Sequence, residues 1–156
     1  MIERFELVSG LNDSDRGILE RVLVQERHRR GHALMREGET ATSGNSALFL
    51  LLEGSVRVTC EAPAGGFGVD RVIGPGHLIG LVALLDDSPR SATVVAVEDI
   101  VVAKLTRRVL DQLYKTNTGM HARFQRMVAR QVAKDLRALD ARLRKAFDEG
   151  AETNPI

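Results

Sequence analysis

Short runs of branched and apolar residues alternate with polar, glycine-containing turns through the middle of the chain. The runs cover 34–35, 47–52, 55–60, 69–73, 91–97 and 100–105. The turns between them include 43–45, 53–54, 61–68 and 74–76. Strands are typically short apolar runs bounded by such turn residues. The pattern predicts a mainly β fold with flanking helices, in which residues 33–106 form a small sandwich or closed β-roll.

Residues 1–32 are interpreted as an N-terminal helical part. Asn12 or Asp13 is a plausible helix N-cap, because the apolar residues that follow recur on one side of a helix. These residues are Ile18, Leu19, Val22 and Leu23. The cationic run 27–32 then fits a solvated helix end, where positive charges face the negative pole of the helix dipole.

Residues 107–149 are predicted to be helical again. Thr106 can cap a short helix, which the polar segment 116–119 ends. A long helix is expected over 120–148, because no proline or glycine lies within that range. Residues 150–156 are expected to form a disordered tail.

Apolar residues on the long helix recur at alternating steps of four and three. They are Val132, Leu136, Leu139, Leu143 and Ala146. This spacing is typical of helices that pack together in a coiled coil. We therefore expect a homodimer joined through residues 128–146, and we expect the arginines and lysines of the same helix to form a solvated face.

The composition fits one soluble domain, residues 1–149. The chain has 156 residues and a net charge of +1, so its charge provides no case for binding DNA. Its single cysteine, Cys60, excludes an internal disulfide framework and fits a reducing compartment. No apolar run is long enough to cross a bilayer or to serve as a signal sequence. We expect a cytoplasmic protein without a membrane partner.

The segment 74–93 combines tight turns, a short apolar run and one arginine. Gly76 and Gly80 permit sharp bends and a close approach of other groups to the backbone. The apolar run after Gly80 can form one or two turns of helix, whose free N–H groups attract an anion. Arg90 supplies a planar fork suited to two phosphate or carboxylate oxygens. Together these parts predict an anion pocket.

This segment resembles the phosphate-binding cassette of cyclic nucleotide-binding domains, roughly G-D-x-x-G-E-x-A-L-L, a variable loop, then R-S/T-A-T/S. The matching residues are Gly76, Gly80, Ala83, Leu84, Leu85, Arg90, Ser91, Ala92 and Thr93. His77 replaces the family's aspartate. Leu81 replaces the glutamate that accepts a hydrogen bond from the ribose 2′-hydroxyl. The resemblance covers almost the whole chain and implies a jelly-roll-like β-roll (a double-stranded β-helix) closed by the long helix.

The resemblance implies a regulatory sensor that binds a cyclic nucleotide, cAMP or cGMP, with Arg90 holding the phosphate. The implied ligand-binding residues are Gly80, Leu81, Val82, Arg90, Ser91, Ala92 and, on the long helix, Asp135. Transcription factors of the family carry a winged-helix domain after this helix, for which residues 150–156 are too few. We therefore expect a stand-alone module without a cofactor, which signals through its C-terminal helix to a protein partner.

Two functions fit the apolar residue at position 81. Loss of a charged acceptor costs roughly 1.5–3 kcal/mol, or about 10- to 150-fold in affinity, so a cyclic nucleotide can still bind, more weakly. Alternatively, the cassette is degenerate, binds no cyclic nucleotide, and the chain is a dimerising or protein-interaction module. Asp135 is either a solvated residue or an acceptor for guanine N1–H and its 2-amino group, which would favour cGMP.

An enzyme is the alternative from another class, and the sequence does not favour it. Small β-rolls of the cupin type carry a histidine cluster, but this chain has no His-x-His followed by Glu and a third His. His28 and His32 are four residues apart, yet Gly31 lies between them. Cys60 has no histidine near it in sequence. We expect no catalytic residues and no metal site.

Overall fold

The structure, a computed structural model, describes residues 1–40, 46–61, 68–86 and 88–152. The turn predicted at 43–45 and most of the loop predicted at 61–68 lie outside these residues.

The described residues form eight strands in two antiparallel sheets. The strands are β1 (Val24–His28), β2 (Ala33–Met35), β3 (Ala47–Glu53), β4 (Val56–Cys60), β5 (Val69–Ile73), β6 (Leu78–Ile79), β7 (Thr93–Ala96) and β8 (Ile100–Thr106). One sheet has the order β1-β8-β3-β6 and the other β2-β7-β4-β5. The mainly β roll predicted from the spacing of apolar runs is confirmed.

Strand β3 explains how the roll is held against the helices. Successive side chains of a strand point to opposite faces. Phe49 and Leu51 pack between the two sheets, whereas Leu48 and Leu50 belong to a second core that the helices cover. The uninterrupted apolar run 47–52 is therefore buried on both faces.

Four α-helices and a short 3₁₀ helix flank the roll in the described part of the chain. They are the 3₁₀ helix Glu6–Gly10, α1 (Asp13–Val22), α2 (Leu81–Asp86), α3 (Arg107–Thr116) and α4 (Thr118–Glu152). Asn12 caps α1, as predicted, because its side-chain oxygen accepts from the backbone N–H of Asp15 at 2.8 Å. Thr106 caps α3, also as predicted.

Helix α4 is longer than predicted at both ends. At its start, the side-chain oxygen of Asn117 accepts from the backbone N–H of Met120 at 2.9 Å. At its other end the helix continues to Glu152, so the predicted tail is wrong for residues 150–152. A single glycine costs a helix only about 1 kcal/mol, so Gly150 does not end it. Residues 153–156 lie outside the described range.

The first half of α4 is anchored on the roll and on α1. Met120, Phe124 and Met127 are buried in the core beneath the helices. Arg123 donates two hydrogen bonds to the carboxylate of Asp15, which is 1% exposed. The second half carries the predicted seam, which in the single chain is largely exposed. No helix of the described residues is both long and apolar enough to span a membrane.

Strand β1 overturns the interpretation of residues 27–32 as a helix end. Helix α1 stops at Val22, and Val24–His28 pairs antiparallel with β8, with Arg27 opposite Val101. The run was misread because β1 is an edge strand without a continuous apolar face. Its pairing partner, β8, is distant in the sequence, and the local pattern of apolar residues gives no information about that pairing.

Candidate functional site

Gly80 brings the anion-pocket segment into close contact with Arg90. It has a φ of 85°, which favours glycine, and lies between β6 and α2. A Cβ at this position would lie 2.7 Å from Nη1 of Arg90 and 2.9 Å from the carbonyl oxygen of Ala47. No side chain fits there without displacing the arginine or β3.

Arg90 is buried, with only 6% of its surface exposed. Its Nη1 donates to the carbonyl oxygen of Gly80 and its Nη2 to that of Ala47, both at 3.3 Å. Its backbone N–H donates to the carbonyl oxygen of Glu39, and its own carbonyl accepts from Gly38, both at 2.9 Å. The backbone of Arg90 is thus fixed by the turn after β2, while its guanidinium is held by the carbonyls of Gly80 and Ala47.

Arg90 forms no ion pair with any of the described residues. Burial lowers the pKa of its guanidinium, and the charge of Glu39 acts in the opposite direction. A buried charge without a partner is costly. An anion bound here would gain bidentate hydrogen bonds and would remove part of that cost.

A cavity of about 390 Å³ lies beside Arg90, and we call it the Arg90 cavity. It is lined by both sheets of the roll, by the start of α2 and by the middle of α4. All seven residues predicted to bind ligand line it: Gly80, Leu81, Val82, Arg90, Ser91, Ala92 and Asp135. The structure therefore brings Asp135, which is distant in sequence, to the same space as the cassette.

Leu81 makes the cavity wall apolar where the family carries its glutamate. The side chain is 7% exposed and belongs to the core beneath the helices. It offers no hydrogen-bond acceptor to a ribose hydroxyl. A ligand in this cavity must therefore gain its polar contacts elsewhere.

Asp135 is partly engaged by its own helix. Its Oδ1 accepts a hydrogen bond from Nε2 of Gln131 at 2.9 Å, one helical turn earlier. Gln131 is itself 9% exposed, so the pair is held in place by packing. Since a carboxylate has two oxygens, each able to accept, Asp135 retains acceptor capacity toward a ligand.

Two further arginines line the cavity that sequence reasoning missed, Arg71 and Arg142. Arg71 lies on β5 opposite Val58 of β4, on the face that Ile73 also presents to the core between the sheets. Its Nε is buried and has no hydrogen-bond partner. The signal available in the sequence was the alternation of side chains within 69–73. It places the cation Arg71 on a strand face that is otherwise apolar.

Three of the four histidines take part in ring stacking. His28 and His32 stack at 4.2 Å between ring centroids, and His121 stacks on Tyr114 at 3.7 Å. No group of three or more His, Cys, Asp or Glu side chains suited to a metal ion occurs within the described ranges. Burial and the neighbouring Glu37 carboxylate raise the pKa of the Cys60 thiol, which disfavours the nucleophilic thiolate.

The fold and the cavity together define a class of protein. An antiparallel roll, a glycine-bounded short helix, a buried arginine and a long helix beside the cavity form a domain with a cavity of the size usual for small molecules. The sequence profile described as the cyclic nucleotide-binding domain matches residues 25–117 of this chain. The chain therefore belongs to the cyclic nucleotide-binding domain family.

Sequence relatives support this assignment. The chain is 31% identical over 108 residues to the cAMP-dependent protein kinase regulatory subunit of Debaryomyces hansenii, covering 69% of this chain and 22% of the relative. It is 36% identical over 104 residues to the acetyltransferase Pat of Mycolicibacterium smegmatis, covering 66% and 29%. It thus spans less than a third of these two proteins.

A solved structure matches over most of both chains. It is the N-terminal domain of a transcriptional regulator from Streptomyces coelicolor, with 27% identity and a TM-score of 0.69. The match covers 85% of this chain and 91% of the other. Domains of this fold thus occur in proteins that regulate kinases, acetylate or control transcription, and the family itself is regulatory.

Proposed function

We propose that the chain is a non-enzymatic regulatory sensor that binds a cyclic nucleotide, cAMP or cGMP, with the phosphate on Arg90. The observation that carries this is Arg90 itself, buried at the edge of the cavity with no ion pair to any described residue. The cavity volume of about 390 Å³ falls within the range of roughly 300–1,000 Å³ usual for small-molecule sites. Ser91 and the backbone near Gly80 and Ala92 complete the phosphate site.

The base is proposed to lie toward α4, where Asp135 meets the cavity. Guanine presents two adjacent donors to a carboxylate, N1–H and the 2-amino group, whereas adenine presents only its 6-amino group. Arg71, also at the cavity wall, can donate to an acceptor of the same base. These groups favour a modest preference for cGMP.

The signal is proposed to leave through α4. Val132, Leu136 and Leu139 line the Arg90 cavity, so a ligand there touches the helix directly. A ligand shifts a conformational equilibrium only by its difference in affinity for the two states. Contacts between a bound base and this part of α4 supply that difference, and a protein partner that contacts α4 detects it.

A homodimer is proposed through the same helix. Leu136 is 56% exposed, Leu139 46% and Leu143 49%, whereas most large apolar side chains of the roll are buried. Such an apolar seam favours a second copy of the helix. Because its first residues also line the cavity, a partner helix would add to the cavity wall.

The seam also supports the second candidate function, a dimerising or protein-interaction module that binds no cyclic nucleotide. Leu81 is the specific observation in its favour, because the residue removes the acceptor for ribose. We place the protein in the cytoplasm in either case, since its single thiol fits a reducing compartment.

Isothermal titration calorimetry distinguishes the two functions. The protein is first unfolded and refolded to remove nucleotide that co-purified, and is then titrated with cAMP and with cGMP. Saturable one-site binding of either supports the sensor. If the protein unfolds cooperatively but gives no binding heat with either ligand up to millimolar concentration, the sensor is excluded and the interaction module remains.

A further inference from the structure

A second cavity of about 550 Å³ lies between the N-terminal segment, the turn after β5 and α4. We call it the α4 groove. It shares part of its lining with the Arg90 cavity, so the two spaces are neighbours. The shared residues are Arg71, Ile73, Asp135, Ala138 and Arg142.

Positive charge predominates in the α4 groove. Its cationic side chains are Arg4, Arg71, Arg130, Lys134 and Arg142. Its two carboxylates are Glu6 and Asp135. Glu6 is 88% exposed and only 3.5 Å from Lys134, and Asp135 already accepts from Gln131. The excess of cations raises the local concentration of anions.

Arg71 is the residue that indicates a ligand rather than a solvated surface. Its register opposite Val58 directs it to the inner face of β5, and its Nε is buried without a hydrogen-bond partner. A buried donor left unsatisfied is costly. Arg57 on the adjacent strand shows the contrasting arrangement, since it is exposed and pairs with Asp70 at 3.3 Å.

We propose that the α4 groove is a second anion site, which binds a phosphate group through Arg71 from the roll and Arg130 from α4. Arg142 lies about 18 Å from Arg130 along the helix axis, so it adds positive charge to the groove without contacting the same phosphate. The phosphate comes either from a free anion or from a ligand with two phosphates, whose first phosphate lies on Arg90. The ligand with two phosphates rests on the proposed function, because its first phosphate lies on Arg90, whereas the free anion does not.

Calorimetry with two probes tests this site: inorganic pyrophosphate, and cyclic di-GMP as a ligand with two separated phosphates. Arg130→Gln is the cleanest variant, because Arg130 lines the groove and not the Arg90 cavity. Arg71→Gln is the second variant, and Arg57→Gln is the matched control. Thermal unfolding verifies that each variant is folded.

If the groove takes a free anion, pyrophosphate still binds Arg90→Ala, in which the Arg90 site is removed, and adding Arg71→Gln to that variant raises its Kd about tenfold or more. For a bridging ligand, cyclic di-GMP binds wild type, and Arg90→Ala and Arg130→Gln each weaken it. Two results overturn the site: neither probe binds, or Arg57→Gln weakens binding as much as the groove variants. Binding of cAMP and cGMP to the Arg90→Ala variant tests the proposed function separately, and its outcome does not bear on the groove.

Discussion

Arg90→Ala should abolish cyclic nucleotide binding and leave the ligand-free fold almost unchanged. In the absence of ligand, Arg90 makes two hydrogen bonds at 3.3 Å, each worth no more than about 1 kcal/mol. Their loss is offset because the substitution removes a buried charge that forms no ion pair among the described residues. The net change in the free energy of unfolding should therefore stay within about 2 kcal/mol.

The effect on the ligand should be far larger. A phosphate held by two charge-assisted hydrogen bonds loses about 3–6 kcal/mol, which corresponds to about 10²- to 10⁴-fold in Kd. Calorimetry measures this loss, and urea unfolding measures the stability. Arg57→Ala is the matched control, because it removes an equal charge from an exposed ion pair and should leave both quantities unchanged.

Two results would refute this account of Arg90. One is an alanine variant that binds cyclic nucleotide as tightly as wild type, since the phosphate would then lie elsewhere. The other is a loss of more than about 3 kcal/mol in ligand-free stability, a size that indicates a structural role.

Three further predictions follow from the cavity and the seam. Leu81→Glu should tighten binding of ligands with a free 2′-hydroxyl by roughly 1.5–3 kcal/mol and lower the ligand-free Tm, because it buries a carboxylate in the core. Equal tightening for a 2′-deoxy analogue would contradict this. Asp135→Ala should erase a preference for cGMP over cAMP, measured as the ratio of their Kd values; a ratio that persists excludes Asp135 as the cause. Replacing Leu136 and Leu139 together by glutamate should convert a dimer into a monomer in sedimentation, and a wild type already monomeric at tens of micromolar would rule out the seam as a dimer interface.

Much of the roll could be read from the sequence, because its central strands carry their own signal. The run 47–52 is apolar throughout because β3 is buried on both faces. Gly80 was recognised from the sequence because glycine permits a sharp bend and because its position matches the cassette pattern, and the structure gives it a φ of 85°. These features carry a signal in the local sequence.

The features that were missed depend on pairing between distant segments. Strand β1 is polar on an edge, and only its register with β8 makes it a strand. Strand β6 is two residues long and exists because Ile79 pairs with Phe49. The alternation within 69–73 indicates that Arg71 shares a face with Ile73, but only the register of β5 against β4 shows that this face is the inner one. In each case the missing information lies in a partner strand.

The proposed ligand site and the proposed dimer interface share a stretch of α4, so ligand binding and dimerisation should be thermodynamically linked. Leu136 and Leu139 line the Arg90 cavity and also form the exposed seam, and Asp135 lies next to them on the helix. If ligand binding moves this stretch, it changes the free energy of dimerisation. Linkage then requires dimerisation to change ligand affinity by the same factor. Leu81 strengthens this dependence, because a cavity without the ribose acceptor takes a larger share of its binding energy from α4.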